Sequence, residues 1–120
     1  MTSSFCYFNG EIVPADKAFI CPDDLGILRG YGVFDVMKTV NGKIFLFDEH
    51  FKRLSDSADY LGVKLPVKKT EIEEAIKKLI LKNKIKQASI RIVLTGGRRS
   101  AAMHFDSTTQ TFYILVSEFK

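Results

Sequence analysis

GYGVFDVMKTVNGKIFLFDEHFKRLSDSADYL, residues 30–61, is the stretch whose reading decides the fold. Two apolar runs, 31–40 and 43–47 (KIFLF), flank Asn41-Gly42. Asn-Gly accepts the positive φ of a two-residue type I′ turn, and both flanks are rich in Val, Phe and Ile, so the pair predicts a β-hairpin. Asp48 then stands where a helix N-cap belongs. Behind it Phe47, Phe51, Leu54, Ala58 and Leu61 recur at helical spacing, an apolar stripe down one face. His50, Arg53, Ser57 and Tyr60 form a second row beside that stripe, and Gly62 closes the helix.

Working outward, residues 5–14 (FCYFNGEIVP) repeat the turn chemistry at Asn9-Gly10 and predict a second hairpin, with Pro14 ending its second strand or placing it on an edge. No helix follows this hairpin, so the pair is reused turn chemistry rather than an internal repeat. Residues 15–29 mix a short strand around Phe19 with a turn at Pro22-Asp23-Asp24, where Asp23 or Asp24 caps a short helical turn. Downstream, Thr70-Glu71-Ile72-Glu73 has the form of a capping box and starts a helix whose buried stripe is Ile72, Ala75, Ile76, Leu79 and Ile80, stopping at Asn83. Residues 86–95 alternate, with Ala88, Ile90, Ile92 and Leu94 on one face and Ser89, Arg91, Val93 and Thr95 on the other. A last strand, 111–119, is apolar enough to sit mid-sheet. Between these two strands, residues 96–110 (GGRRSAAMHFDSTTQ) form a long loop of the kind that is functional or disordered. The sum is an α+β domain: an antiparallel sheet built from hairpins with two helices packed on one side.

A chain of 120 residues is expected to form one domain and is long enough for a core. Its 46% hydrophobic and 27% charged content is that of ordinary soluble globular chains. No apolar run reaches membrane-spanning length, and MTSSFCYFNG lacks a basic segment followed by an apolar one, so a cytoplasmic protein with no membrane partner is expected. The net charge is +4, but the lysines between Lys64 and Lys86 alternate with Glu71, Glu73 and Glu74, the pattern of a solvated helix face. No aromatic–basic platform points to nucleic acid. Cys6 and Cys21 make neither a disulfide framework nor a zinc spacing, so no metal is expected and both read as buried small hydrophobes.

Three places carry charge where chemistry needs it. Arg53 lies off the apolar stripe, and its planar fork matches a phosphate bidentately. Spacing alone favours a surface arginine paired with Glu49 or Asp56. Arg91 interrupts an apolar strand and must face solvent, a partner or a ligand; Asp35 poses the same question with opposite sign, and an Asp35–Arg91 pair across the sheet answers both. Arg98, Arg99 and His104 put cations in the long loop, suited to grip a carboxylate, although Arg99 reads better as part of a mobile basic loop. No P-loop, GxSxG, HExxH or dinucleotide fingerprint occurs.

Four segments carry a resemblance: FNGEIV near the start, GYGVFD, FDEHFKRL, and SIRIVLTGG before the loop. In order and spacing they resemble the class IV pyridoxal-phosphate aminotransferases, a family that includes branched-chain and D-amino-acid aminotransferases and aminodeoxychorismate lyase. The resemblance covers nearly the whole chain as that family's N-terminal small domain. It implies that Arg53 holds the phosphate of pyridoxal 5′-phosphate and that Phe34 lines the substrate pocket. It also implies that Arg91 and the loop bearing Arg98 and His104 lie on the substrate side. Tyr31 stands where Asp or Thr is usual, and Asp35 where Glu is usual. The family's Schiff-base lysine belongs to a C-terminal domain that residues 1–120 do not contain, and no lysine here occupies a matching position. The expectation is therefore a domain without a catalytic residue of its own, inactive alone. In the complete enzyme it serves transfer of an amino group from an amino acid to a 2-oxo acid, within a homo-oligomer. A lyase of the same family, for which Arg98 after two glycines speaks, and a non-catalytic binding or assembly module are the alternatives.

Overall fold

Both Asn-Gly pairs turn the chain as their chemistry requires. In the computed structural model, which describes residues 4–98 and 110–118, Asn9 and Gly10 have φ of 48° and 97°, and Asn41 and Gly42 have 51° and 80°. The first turn joins β1 (Phe5–Phe8) to β2 (Glu11–Pro14), and the second joins β3 (Gly32–Val40) to β4 (Lys43–Ile44). With β5 (Ala88–Thr95) and β6 (Thr111–Glu118) they form one six-stranded sheet in the order β2-β1-β6-β5-β3-β4, antiparallel at every pairing. The apolar β6 lies inside the sheet, between β1 and β5.

Register separates the two faces. Asp35, Ile92 and Ile114 share one row across β3, β5 and β6; Phe34, Val93 and Tyr113 share the next and point the other way. Helices α2 (Phe47–Leu61) and α3 (Lys69–Lys82) cover the first face. Leu54 from α2, Ile72, Ile76 and Leu79 from α3, and Ile90, Ile92, Leu94 and Ile114 from the sheet are 0% exposed and form one core. Asn83 ends α3 as predicted. Its Nδ2 donates to the carbonyls of Leu79 (2.9 Å) and Phe5 (3.0 Å), and its Oδ1 accepts from the Phe5 N–H (2.8 Å), which ties the helix end to β1.

The helix starts differ from expectation. Asp48 is not the cap of α2; Leu46 holds that position in the left-handed region (φ 55°, ψ 41°), with no side-chain cap. The cause lies upstream. Only Lys43 and Ile44 pair with β3, Phe45 N–H reaches the Lys38 carbonyl (2.8 Å), and the chain leaves the sheet at Leu46. A non-glycine residue there costs about 1–2 kcal/mol, which the burial of Phe47 and its stripe has to offset. Asp48 and Glu49 remain in the first turn, where negative charge suits the helix dipole. The capping box at Thr70 is not made either: α3 starts at Lys69, after an uncapped Lys68. Phe19 belongs to no strand, and the segment before it is a 3₁₀ turn, Ala15–Lys17. Asp24 does cap a short helix, α1 (Leu25–Leu28), accepting from Gly26 N–H (2.8 Å) and from Thr111 Oγ1 (2.6 Å).

The shortness of β4 positions the site. From Gly32 to Met37 the outer edge of β3 has no strand partner among the described residues, so both layers are reachable from one side.

Candidate functional site

Asp35 is the one carboxylate that β3 turns toward the helices; its side chain is 2% exposed. His50 and Arg53 stand one turn apart on α2 and flank it. Arg53 Nε donates to Asp35 Oδ2 (2.8 Å), Arg53 Nη2 donates to Oδ1 (2.8 Å), and His50 Nδ1 lies 2.8 Å from Oδ1. Burial pushes the Asp35 carboxyl up, but the hydrogen bonds and charges of Arg53 and His50 outweigh it and hold the group below the usual carboxylate range. The same hydrogen bond raises the Arg53 guanidinium. An ionised carboxylate only accepts, so His50 Nδ1 carries the proton in this contact, and its 3.2 Å approach to Arg53 Nη2 is not a further hydrogen bond.

This arrangement uses one edge of the guanidinium and leaves another. Nε and Nη2 form the side edge, which Asp35 occupies bidentately. Nη1 and the second N–H of Nη2 form the end edge, on a side chain that is 65% exposed. Arg53 is therefore aimed rather than consumed. The expected pairing with Glu49 or Asp56 is not formed; Asp56 takes Lys52 instead (2.8 Å). Sequence reasoning put His50 beside Arg53 on one helix face but did not connect Asp35 to either. The available signal was a His-x-x-Arg step on one helix face beside a lone acid in an apolar strand.

Phe34 and Arg91 lie on the opposite face, on the part left uncovered; over Cys6 and Thr95 the segment 15–28 packs against that face. Phe34 is 62% exposed, and the Arg91 guanidinium sits 5.4 Å from its ring centroid, a cation–π contact. The expected Asp35–Arg91 pair does not form. Asp35 aligns with Ile92 and faces the helices, whereas Arg91 aligns with Val36 and faces away. Arg91 has no acidic partner among the described residues. Beside it a cleft of about 270 Å³ is lined by Gly26, Gly32, Phe34, Val93, Thr95 and Tyr113, among others. Gly26 is required there, since a Cβ would meet Thr95 Cγ2 at 2.7 Å. Burial first, and then the charge of Asp24, raise the Tyr113 phenol, against a smaller opposing effect of Arg91.

Arg98 is not gathered into this group. Its Nε and Nη2 donate to Asp23 Oδ1 (3.0 Å) and Oδ2 (3.2 Å), beside α1. His104 lies outside the described residues. Among the described residues no group of three His, Cys, Asp or Glu is placed to hold a metal, and no helix is long and apolar enough to cross a membrane.

Asp35, which holds the side edge of Arg53, and Phe34 are consecutive residues of β3 and point to opposite faces along its unpaired edge.

Known proteins share this fold. Residues 32–120 match the family described as amino-transferase class IV. A putative branched-chain-amino-acid aminotransferase of Methanocaldococcus jannaschii is 35% identical over 91 residues, 76% of this chain and 32% of the relative. A D-alanine aminotransferase of Listeria monocytogenes is 31% identical over 96 residues, 80% of this chain and 33% of the relative. The chain thus spans about a third of the length of the curated relatives it matches. Among solved structures, a T.th. branched-chain amino acid aminotransferase with pyridoxamine 5′-phosphate superposes with a TM-score of 0.86 at 25% identity, over 100% of this chain and 42% of that one. The branched-chain amino acid aminotransferase from Escherichia coli shares the fold, with a TM-score of 0.87 at 24% identity, over 98% of this chain and 42% of that one. From its matched residues and its fold together, the chain belongs to the class IV amino-transferase family.

Proposed function

We propose that residues 1–120 serve as the N-terminal small domain of a pyridoxal-phosphate-dependent aminotransferase, in which the end edge of Arg53 holds the cofactor phosphate. One observation carries this reading: Asp35 binds the side edge of the guanidinium and leaves the end edge facing out at the open edge of β3. Two phosphate oxygens fit the paired N–H groups of that edge. The Asp35–Arg53 pair is neutral as a unit, so it contributes direction more than net charge. A structural relative solved with pyridoxamine 5′-phosphate supports the class of cofactor.

When bound, the cofactor supplies the electron sink through which an amino group leaves an amino acid and reaches a 2-oxo acid. The chain's own residues place and enclose. Arg53 fixes the phosphate end, so that the reactive end is held in register with the substrate wall. Phe34 provides an apolar wall and holds the Arg91 guanidinium 5.4 Å from its ring centroid. Arg91, with no acid of its own among the described residues, offers its N–H groups to a substrate carboxylate. No residue of the chain is assigned the covalent step, and the chain alone is expected to show no turnover.

Equilibrium dialysis with pyridoxamine 5′-phosphate and with pyridoxamine tests the phosphate assignment. The wild-type chain should retain the phosphorylated form better, and Arg53→Gln should abolish the preference. Equal retention in both proteins overturns the assignment. Turnover above background by the chain with pyridoxal 5′-phosphate, an amino acid and a 2-oxo acid overturns the division of labour.

A second reading, an assembly module built from copies of this chain, is favoured by the apolar surface of Phe34, Val36 and Leu115 on the uncovered face, at 62%, 37% and 41% exposure. Sedimentation of the chain and of Phe34→Ser decides it. A dimer that the substitution disperses supports it; a monomer in both rejects it.

A further inference from the structure

On the helix side of the sheet, away from Arg53, a cleft of about 350 Å³ opens between the β1–β2 hairpin and α3. Its apolar floor is Ile12 and Ala75, and its polar groups are Tyr7, Glu71, Glu74 and Lys78. Glu71, Glu74 and Lys78 follow one another at steps of three and four and so share one face of α3. Tyr7 belongs to the core: it is 8% exposed, and its ring meets Phe112 edge-on at 6.0 Å. A tyrosine this deep ordinarily finds a hydrogen-bond partner for its hydroxyl. Among the described residues Tyr7 has none, yet its oxygen is not sealed from the cleft. Tyr7 and Glu71 line the same cleft, and burial first, then the charge of Glu71, raise the Tyr7 phenol. Neither Glu71 nor Glu74 forms an ion pair among the described residues; the lysine–glutamate pair of this helix joins Lys77 to Glu73.

The cleft therefore gathers two carboxylates and one hydroxyl over an apolar floor, with one cation at its rim. An ammonium group has three N–H donors and no acceptor, which matches that set. We propose that this cleft binds a small primary ammonium compound, its nitrogen seated between the carboxylates of Glu71 and Glu74 and the hydroxyl of Tyr7. A free amino acid and a simple amine share this chemistry. Lys78 distinguishes them, since only the amino acid brings a carboxylate to it.

The test is an amide-resolved NMR titration of the full 120-residue chain with methylammonium chloride, glycine, sodium acetate and sodium chloride at matched ionic strength. Methylammonium and glycine should shift the Gly10 and Ala75 amides saturably, and acetate and sodium chloride should not. Tyr7→Phe, which removes only the oxygen, and Glu71→Gln, on the exposed helix face, should each weaken binding about tenfold. Arg53→Gln should leave it unchanged. Tighter binding of glycine, lost in Lys78→Gln, supports the site as one for amino acids. Equal affinity for glycine and methylammonium supports it as one for the ammonium group alone. Shifts that do not saturate, that acetate reproduces, or that persist undiminished in Tyr7→Phe and Glu71→Gln overturn the proposal.

Discussion

Along β5, Ile90, Ile92 and Leu94 are 0% exposed beneath the helices, while Arg91, between them, is exposed on the other side. Across the sheet the contrast continues: Met37 and Ile114 are buried, whereas Phe34, Val36 and Leu115 keep 62%, 37% and 41% of their surface. Alternating residue by residue, β3 and β5 therefore bury one set of apolar side chains and leave Phe34 and Val36 of the other set exposed. Apolar side chains on the helix face contribute stability through burial. Those on the uncovered face contribute little of it and are available to a ligand or a partner. Asp35 is the exception that links them: a charged residue on the covered face, which aims an arginine at the strand's open edge.

The contrast breaks most visibly in the core. Ile92→Ala should cost about 2–5 kcal/mol, read as a shift of the denaturation midpoint. Asp35→Asn should cost about 1–3 kcal/mol, because it leaves the hydrogen-bond set of Arg53 and His50 incomplete. The folded-state pKa of Asp35 lies below its unfolded value, so its contribution is fully present above about pH 4 and is lost as pH falls through the folded pKa. Acid titration of stability should therefore be flatter for Asp35→Asn than for the wild type. Phe34→Ala, on the uncovered face, should change stability by less than about 0.5 kcal/mol while loosening Arg91, read, on the proposed function, as weaker retention of an amino acid or 2-oxo acid by the complete enzyme. A loss as large as that of Ile92→Ala would mean that the uncovered face is also structural. The smallest effect is expected at Asp48, which is 76% exposed and bridges to Lys69. Asp48→Asn should cost a few tenths of a kcal/mol, about the worth of a first-turn charge or surface pair, rather than the ~1 kcal/mol of a lost cap.

The sheet was legible because alternation at period two leaves a mark at every residue, as in Ala88–Thr95, and because Asn-Gly states its own backbone. The helices were legible from their stripes, but their starts were not. Nothing in the residue type of Leu46 announces a left-handed conformation, so Asp48 looked like a cap, and Thr70 completed a capping box on paper that the chain does not form. For the site, Arg53 could be singled out and matched to a family. Its partners could not, since Asp35 lies 18 residues away and meets it only when α2 packs onto β3. Which face a charge takes was the other hidden variable: Asp35 and Arg91 looked like a pair until the register placed them on opposite sides.

The account stands most directly on the end edge of the Arg53 guanidinium. Nitrogen-15 NMR of the arginine side chains, assigned with Arg53→Gln and titrated with inorganic phosphate, observes that edge itself. The account predicts a saturable shift of the Arg53 side-chain signals, with the hydrogen bond to Asp35 retained. Arg53 signals that stay fixed while those of other arginines move would contradict it.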